Sequence, residues 1–410
     1  MFEPSPLAPD RFPQLAPVAG VRVAGIVAGF KESGRPDLFL AELAQGTTVA
    51  GVFTRSRCPS APVEWCRAVL PKGRARAIVV NSGNANAFTG NAGDTTVSET
   101  VRAAAKLFGC PGHEIYVAST GVIGVPVPPD HIARNLPKIH AKLAGNAWDA
   151  AAEAILTTDT FAKAAMRTAR IGDTEVTLVG IAKGSGMIAP DMATMLSFVF
   201  TDARIPAPVL QRLLAGAADR SFNSITVDSD TSTSDTLLLC ATGKAPRHPA
   251  VTRAGDRHLR DFKRALGELT IDLATQVVRD GEGAQKLITI DVSGARSARS
   301  ARRIGLAVAN SPLVKTAIAG GDANWGRIVM AVGKSGEAIA ETSLTIYVGG
   351  HPVAIDGAPP ANYDEAPVAR HMAGQNIVMT VDVGLGRGEA TVWTCDLTHG
   401  YIAINADYRT

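Results

Sequence analysis

A chain of 410 residues offers enough material for two or three structural units and a large core. Its 41 Lys and Arg against 38 Asp and Glu leave a formal charge of +3, so nothing calls for nucleic acid or an acidic membrane surface. No apolar run approaches the roughly 18 residues a membrane helix needs, and Met1-Phe2-Glu3-Pro4 opens without a basic or apolar leader, so a soluble cytoplasmic protein is expected.

Five cysteines (Cys58, Cys66, Cys110, Cys240 and Cys395) are scattered without CxxC spacing. That pattern favours buried reduced thiols over a disulfide framework or a zinc site. His113-Glu114 starts like a zinc-protease helix, but Val117 stands where the second histidine belongs, and no metal is expected. Gly333-Lys334-Ser335 lacks the earlier glycine of a phosphate loop, which is Ile328 here. Gly384-Leu385-Gly386 lacks the third glycine of a dinucleotide fingerprint, replaced by Glu389. Both read as turns.

In chain order, strands alternate with helices and no repeat appears. Val21–Val27 and Thr47–Phe53 read as strands, and residues 76–80 as a short apolar strand ending in the loop Asn81-Ser82-Gly83-Asn84-Ala85-Asn86-Ala87. Asparagine and glycine tolerate left-handed backbone, so side-chain-to-backbone hydrogen bonds should build that loop. Helical periodicity covers Thr95–Leu107. Glu114–Ala118 is then a strand running into Ser119-Thr120-Gly121, where a hydroxyl and a backbone N–H can converge on one point, the geometry an oxyanion hole needs. Helices are expected at 129–143 and 147–156, and a hairpin over 164–182 around Ile171-Gly172-Asp173 that delivers Lys183 to the next loop.

That loop, Lys183-Gly184-Ser185-Gly186-Met187-Ile188-Ala189-Pro190-Asp191-Met192-Ala193-Thr194, runs into the apolar strand 195–200, so Thr194 sits where a loop enters a strand. Pro206 and Pro208 open an amphipathic helix to 219. Asp228-Ser229-Asp230-Thr231-Ser232-Thr233-Ser234-Asp235 lacks the glycine and terminal glutamate of a calcium loop and reads as a buried hydrogen-bond network ahead of the strand 237–239. A long helix spans 256–279, broken by Asp280-Gly281-Glu282-Gly283 before a strand over 286–292. Arg296, Arg299, Arg302 and Arg303 recur at near-helical spacing without interleaved aromatics, which suits a solvated helix face better than a nucleic-acid patch. Tyr401-Ile402-Ala403-Ile404 reads as a strand tucked into the protein, ahead of Asn405-Ala406-Asp407-Tyr408-Arg409-Thr410.

The segment from Lys183 to Thr194 resembles the self-cleavage segment of the ornithine acetyltransferase (glutamate N-acetyltransferase) family. Five further segments agree in order: 82–87, 157–160, 228–235, 309–327 and 401–410. The departures are Phe88 where a cysteine is common, Ser234 for an asparagine and Gly321 for an acidic residue. The resemblance implies an α/β, sandwich-like fold of self-processing N-terminal-nucleophile type, with mixed sheets and flanking helices. It implies cleavage between Ala193 and Thr194 into fragments 1–193 and 194–410, with a smaller lobe from about 285, and a heterotetramer of two copies of each fragment. Thr194 would be the nucleophile and Thr120 and Gly121 the oxyanion donors. Thr157, Lys183, Thr194, Glu282, Asn405 and Thr410 would bind substrate, with Glu282 facing the side-chain ammonium of ornithine.

The chemistry follows from one residue. Cleavage frees an α-amino group on Thr194, and such amines titrate near pH 7.7–8.0, so nucleophile and base belong to the same residue and no histidine is needed. Acetylornithine would acetylate Thr194, ornithine would leave, and glutamate would take the acetyl group, without a cofactor. A bifunctional version would also accept acetyl-CoA as co-substrate. A self-cleaving aminopeptidase of related fold and a non-catalytic binding protein are the competing readings, and the intact cleavage segment argues against the second.

Overall fold

Runs of apolar residues too continuous for a half-exposed strand organise the centre of the molecule. Leu196–Thr201 and Thr236–Ala241 are buried at every position, as expected of strands covered on both faces. They pair in parallel at the middle of a five-stranded sheet. The order across that sheet is Thr48–Phe53, Thr236–Ala241, Leu196–Thr201, Thr174–Lys183 and Lys163–Ile171. The last two form the expected hairpin, in register from Lys163 opposite Ala182 to Ile171 opposite Thr174. The computed structural model describes residues 3–189 and 195–406.

A four-stranded sheet, Val21–Ile26, Leu38–Leu43, Ala77–Asn84 and Ile115–Val122, lies against one face of the central sheet. Phe39 and Phe198 stack across the interface with centroids 5.5 Å apart. Burying a side chain such as Phe198, which has no exposure, contributes about 1.5–3 kcal/mol. Helices Ala61–Val69 and Gly90–Phe108 cover the outer face of the smaller sheet, through residues such as Val63, Cys66, Val97 and Val101. On the far face of the central sheet lie Ala207–Asp219, with Pro206 at its N-cap and Pro208 in its first turn, and the long Arg260–Arg279. The result is a helix–sheet–sheet–helix sandwich.

A third sheet, ordered His351–Ala354, Thr345–Val348, Asn376–Asp382, Leu287–Ala295 and Gly388–Cys395, has its own apolar core with the helices Ala298–Ala309, Pro312–Ala319, Gly326–Gly333 and Glu365–Met372. Lys315 ties it to the centre, donating to the Val227 carbonyl at 2.7 Å and the Thr394 hydroxyl at 2.9 Å.

Several expectations need correction. The strand that begins at Ala77 does not stop before Asn81 but runs to Asn84, because residues 81–83 still pair with Ser119–Gly121 of the neighbouring strand. For the same reason Thr120 and Gly121 lie within the strand Ile115–Val122, with Gly121 at φ +130° against the backbone of Gly83. Residues 399–406 form a helix, not a strand, with Ile402 64% exposed, and residues 407–410 lie outside those described. Cys58 is exposed, unlike Cys66, Cys240 and Cys395. In the 228–235 run, Ser229, Asp230 and Thr231 are exposed, while Ser232, Ser234 and Asp235 are buried.

Candidate active site

Two sheets end side by side at one cavity of about 120 Å³. The smaller sheet contributes Thr120 and Gly121, and the central sheet contributes Lys183, the last residue of its strand. Thr157 and Thr158 come from the segment ahead of Lys163–Ile171, and Ser232, Thr233 and Ser234 from the acidic run. Glu282 follows the long helix, and Asn405 comes from the C-terminal helix. The structure thus brings together Thr120, Gly121, Thr157, Lys183, Glu282 and Asn405. Ala193, Thr194 and Thr410 lie outside the described residues.

Lys183 is 2% exposed, and its ammonium donates to the hydroxyls of Thr120 at 3.0 Å and Thr157 at 2.9 Å. Each hydroxyl, having accepted from nitrogen, keeps its own proton to donate elsewhere. Burial pushes the Lys183 pKa down, and the Asp159 carboxylate is the main charge that opposes it. Glu282 is 8% exposed and accepts from the Asn405 amide at 2.7 Å. Burial raises its pKa, partly offset by hydrogen bonds from Asn405 and Thr158. A methyl on Gly186 would sit 2.4 Å from the Glu282 carboxyl carbon, so a larger residue there would have to displace that carboxylate. The cavity therefore presents an ammonium at one place and a carboxylate at another, with hydroxyls between. Such a site suits a small zwitterion.

The Asn-rich segment behaves as its composition implies. Asn81 donates to the Asn84 carbonyl, Asn86 to the Gly93 carbonyl, and Ser82 to the Ala154 carbonyl. Ala85 reaches the cavity wall, whereas Phe88 points outward, 85% exposed, at φ +56°.

Sequence reasoning missed the groups beneath the pocket. Lys163, with no exposed side-chain area, sits between Asp159 at 2.7 Å and Asp280 at 2.5 Å, both equally buried. Their neighbours in the chain gave no signal, because the strand Lys163–Ile171 also carries Arg167 and Arg170. Two further carboxylates hold the described residues that flank 190–194. Asp228 accepts from the N–H groups of Met187 at 2.6 Å and Ile188 at 2.8 Å, and Met187 takes the unfavourable φ of +57°. Asp235 accepts from the Met195 N–H at 3.0 Å. Among the described residues, no cluster of three or more His, Cys, Asp or Glu is arranged to hold a metal. No helix among them is long and apolar enough to cross a membrane.

Comparison with known proteins places this geometry in context. A family model described as the ArgJ family matches residues 22–410. The chain is 56% identical over 412 residues to the arginine biosynthesis bifunctional protein ArgJ of Gluconobacter oxydans (strain 621H), covering 100% of this chain and 97% of that protein. It is 54% identical over 408 residues to the protein of the same name from Mesorhizobium japonicum, covering 99% of both. Among solved structures, the arginine biosynthesis bifunctional protein from Bacillus halodurans is 36% identical, with a TM-score of 0.48 over 50% of this chain and 96% of that one.

Proposed function

The chain belongs to the ArgJ family, and on that basis we propose that it is an acetyltransferase of arginine biosynthesis, moving the acetyl group of N2-acetyl-L-ornithine to L-glutamate. The observation that carries this reading is the cavity itself, which gathers Thr120, Gly121, Thr157, Lys183, Glu282 and Asn405 from distant parts of the chain. In this reading the Thr194 hydroxyl attacks the Ala193 carbonyl, an N-to-O acyl shift gives an ester, and water releases fragments 1–193 and 194–410. The freed amine then accepts the hydroxyl proton when Thr194 attacks acetylornithine. Thr120 and Gly121 supply donors to the developing oxyanion, and Lys183 holds a substrate carboxylate or carbonyl. Glu282 pairs with the side-chain ammonium of ornithine, displacing the Asn405 amide that occupies it here. Glutamate then takes the acetyl group from the threonine ester.

The relatives' name, bifunctional, favours a second activity in addition, for which we propose acetyl-CoA as the donor. No cofactor is required by either route. A cytoplasmic heterotetramer of two copies of each fragment completes the proposal.

The test is direct. Purified protein given acetylornithine and glutamate should form acetylglutamate and ornithine, and denaturing mass spectrometry should show fragments 1–193 and 194–410. Thr194→Ala should remain one chain and transfer nothing. A wild-type chain that stays whole after long incubation yet transfers acetyl groups would defeat the mechanism. Replacing acetylornithine by acetyl-CoA separates one activity from two.

A further inference from the structure

We infer that Asp159 is the positioning residue of this pocket, fixing Lys183 and Thr157 in place and keeping Lys183 charged. One carboxylate reaches the backbone on both sides of the Lys183 ammonium. Its Oδ2 accepts from the Thr157 N–H at 2.9 Å, and Thr157 is the residue whose hydroxyl receives Lys183. Its Oδ1 accepts from the N–H of Gly184, the residue after Lys183, at 2.7 Å, and from Lys163 at 2.7 Å. Lys163 in turn is held by Asp280, which also accepts from the Thr160 N–H at 2.9 Å. The Asp280 carbonyl takes the Ser185 hydroxyl at 2.5 Å. Three stretches of chain, 157–163, 183–185 and Asp280, are thereby tied together under the cavity.

A buried ion cluster can be purely structural, and such clusters are often replaceable by apolar groups without loss of stability. Charge balance argues for more than that here. Lys163 has a second carboxylate in Asp280, whereas Asp159 is the main counter-charge that acts on Lys183. The other charged groups that act on Lys183 are Asp235, from the segment ahead of Thr236–Ala241, and Glu282, both of which support the ammonium. Lys163 opposes it, as does Lys31, whose own ammonium is tied to the Pro36 carbonyl. Burial works to raise the Asp159 carboxyl, but Lys163, Lys183 and its N–H donors outweigh burial and hold it well below the ordinary value. It therefore stays ionised as the counter-charge.

The activity arm of the test rests on the acetyl-transfer reading; the labelling arm does not. Full-length wild type, Asp159→Asn and Asp280→Asn are labelled with acetic anhydride across the alkaline range, and Lys183 is followed by peptide mass spectrometry. Asp159→Asn should move the Lys183 labelling midpoint to lower pH. It should also raise the KM for acetylornithine by roughly tenfold to a hundredfold, the worth of one hydrogen bond to a charged group, with a smaller loss in kcat. Asp280→Asn should lower the melting temperature but leave the Lys183 midpoint in place. A midpoint unmoved in Asp159→Asn, or moved equally by Asp280→Asn, overturns the inference. Should Asp159→Asn fail to fold, the triple variant Asp159→Asn, Lys163→Met, Asp280→Asn removes both ion pairs of Lys163 together and leaves neither half broken, which is better tolerated than removing one partner. Its Lys183 midpoint should also fall, and an unmoved midpoint there is equally decisive. A wild type that transfers no acetyl group while the labelling midpoint moves as stated would remove the activity and leave the positioning role standing.

Discussion

The long helix Arg260–Arg279 meets ion pairs at both ends, in opposite settings. Near its start Arg264 bridges Asp261 at 2.6 Å and Glu268 at 2.8 Å, with its side chain 60% exposed. Just beyond its end Asp280 meets Lys163 at 2.5 Å with neither side chain exposed. The chemistry of the pairs is the same, and water makes the difference. At the exposed end the charges are already well solvated, so the pair gains little over its separated partners. At the buried end no partner can be removed without stranding the others in a medium that solvates them poorly. The exposed pairs decorate the helix, while the buried cluster secures the pocket floor.

The hardest challenge to this contrast is Lys163→Ala. It leaves Asp159 and Asp280 buried without their shared cation, and should cost about 3–5 kcal/mol, read as a large drop in the thermal midpoint. A variant that melts like wild type would show that water reaches the cluster.

Gly186→Ala tests a second buried carboxylate. The added methyl would fall 2.4 Å from the carboxyl carbon of Glu282, so either the backbone strains, at about 1–3 kcal/mol, or Glu282 leaves the pocket. In both cases the KM for acetylornithine should rise, measured beside the melting temperature to separate the two routes. An unchanged KM would place Glu282 outside the substrate's reach.

Asp235 extends the contrast because its site offers no bonded lysine. It accepts the Met195 N–H, and burial raises its carboxyl well above the ordinary 3.8, despite hydrogen bonds and Lys183 acting the other way. The folded chain therefore holds this proton more tightly than the unfolded chain does. That contribution is complete below pH 3.8 and is lost as pH rises through the folded value. Asp235→Asn, which cannot ionise, should melt higher than wild type at pH 8, with the advantage shrinking toward pH 4. A pH-independent difference would mean the gain is not electrostatic.

Least is expected of the exposed end. Arg264→Ala should leave the melting temperature within experimental scatter, and raising the salt concentration should change nothing further. A clear loss would overturn the contrast between the two ends.

Much of the scaffold is readable without coordinates. Leu196–Thr201 is apolar or hydroxyl-bearing throughout and could only be a covered strand, and Gly172 with Asp173 plainly marks the hairpin beside it. The pocket was legible in part, since Thr120, Gly121, Thr157, Lys183 and Glu282 stand in distinctive segments. The C-terminal run Tyr401-Ile402-Ala403-Ile404 misleads because it is a short continuous apolar run with two isoleucines, like a buried strand. Its helix forms against Gly283, where a methyl would lie 2.4 Å from the Tyr401 nitrogen. That contact joins residues far apart in the chain, and local periodicity carries no trace of it.

The order of elements, the family and the chemical types available to the site are written in the chain: a loop-borne threonine, a Thr-Gly pair, a lysine ending a strand and a carboxylate after a helix. Which charges face one another is set by packing alone. Lys163 and Asp280 are 117 positions apart, and neither is distinguished from a surface charge by its neighbours in the chain. Burial and counter-charge belong to the packed neighbourhood, so the residues beneath the pocket emerge only when the sheets and the long helix close over them.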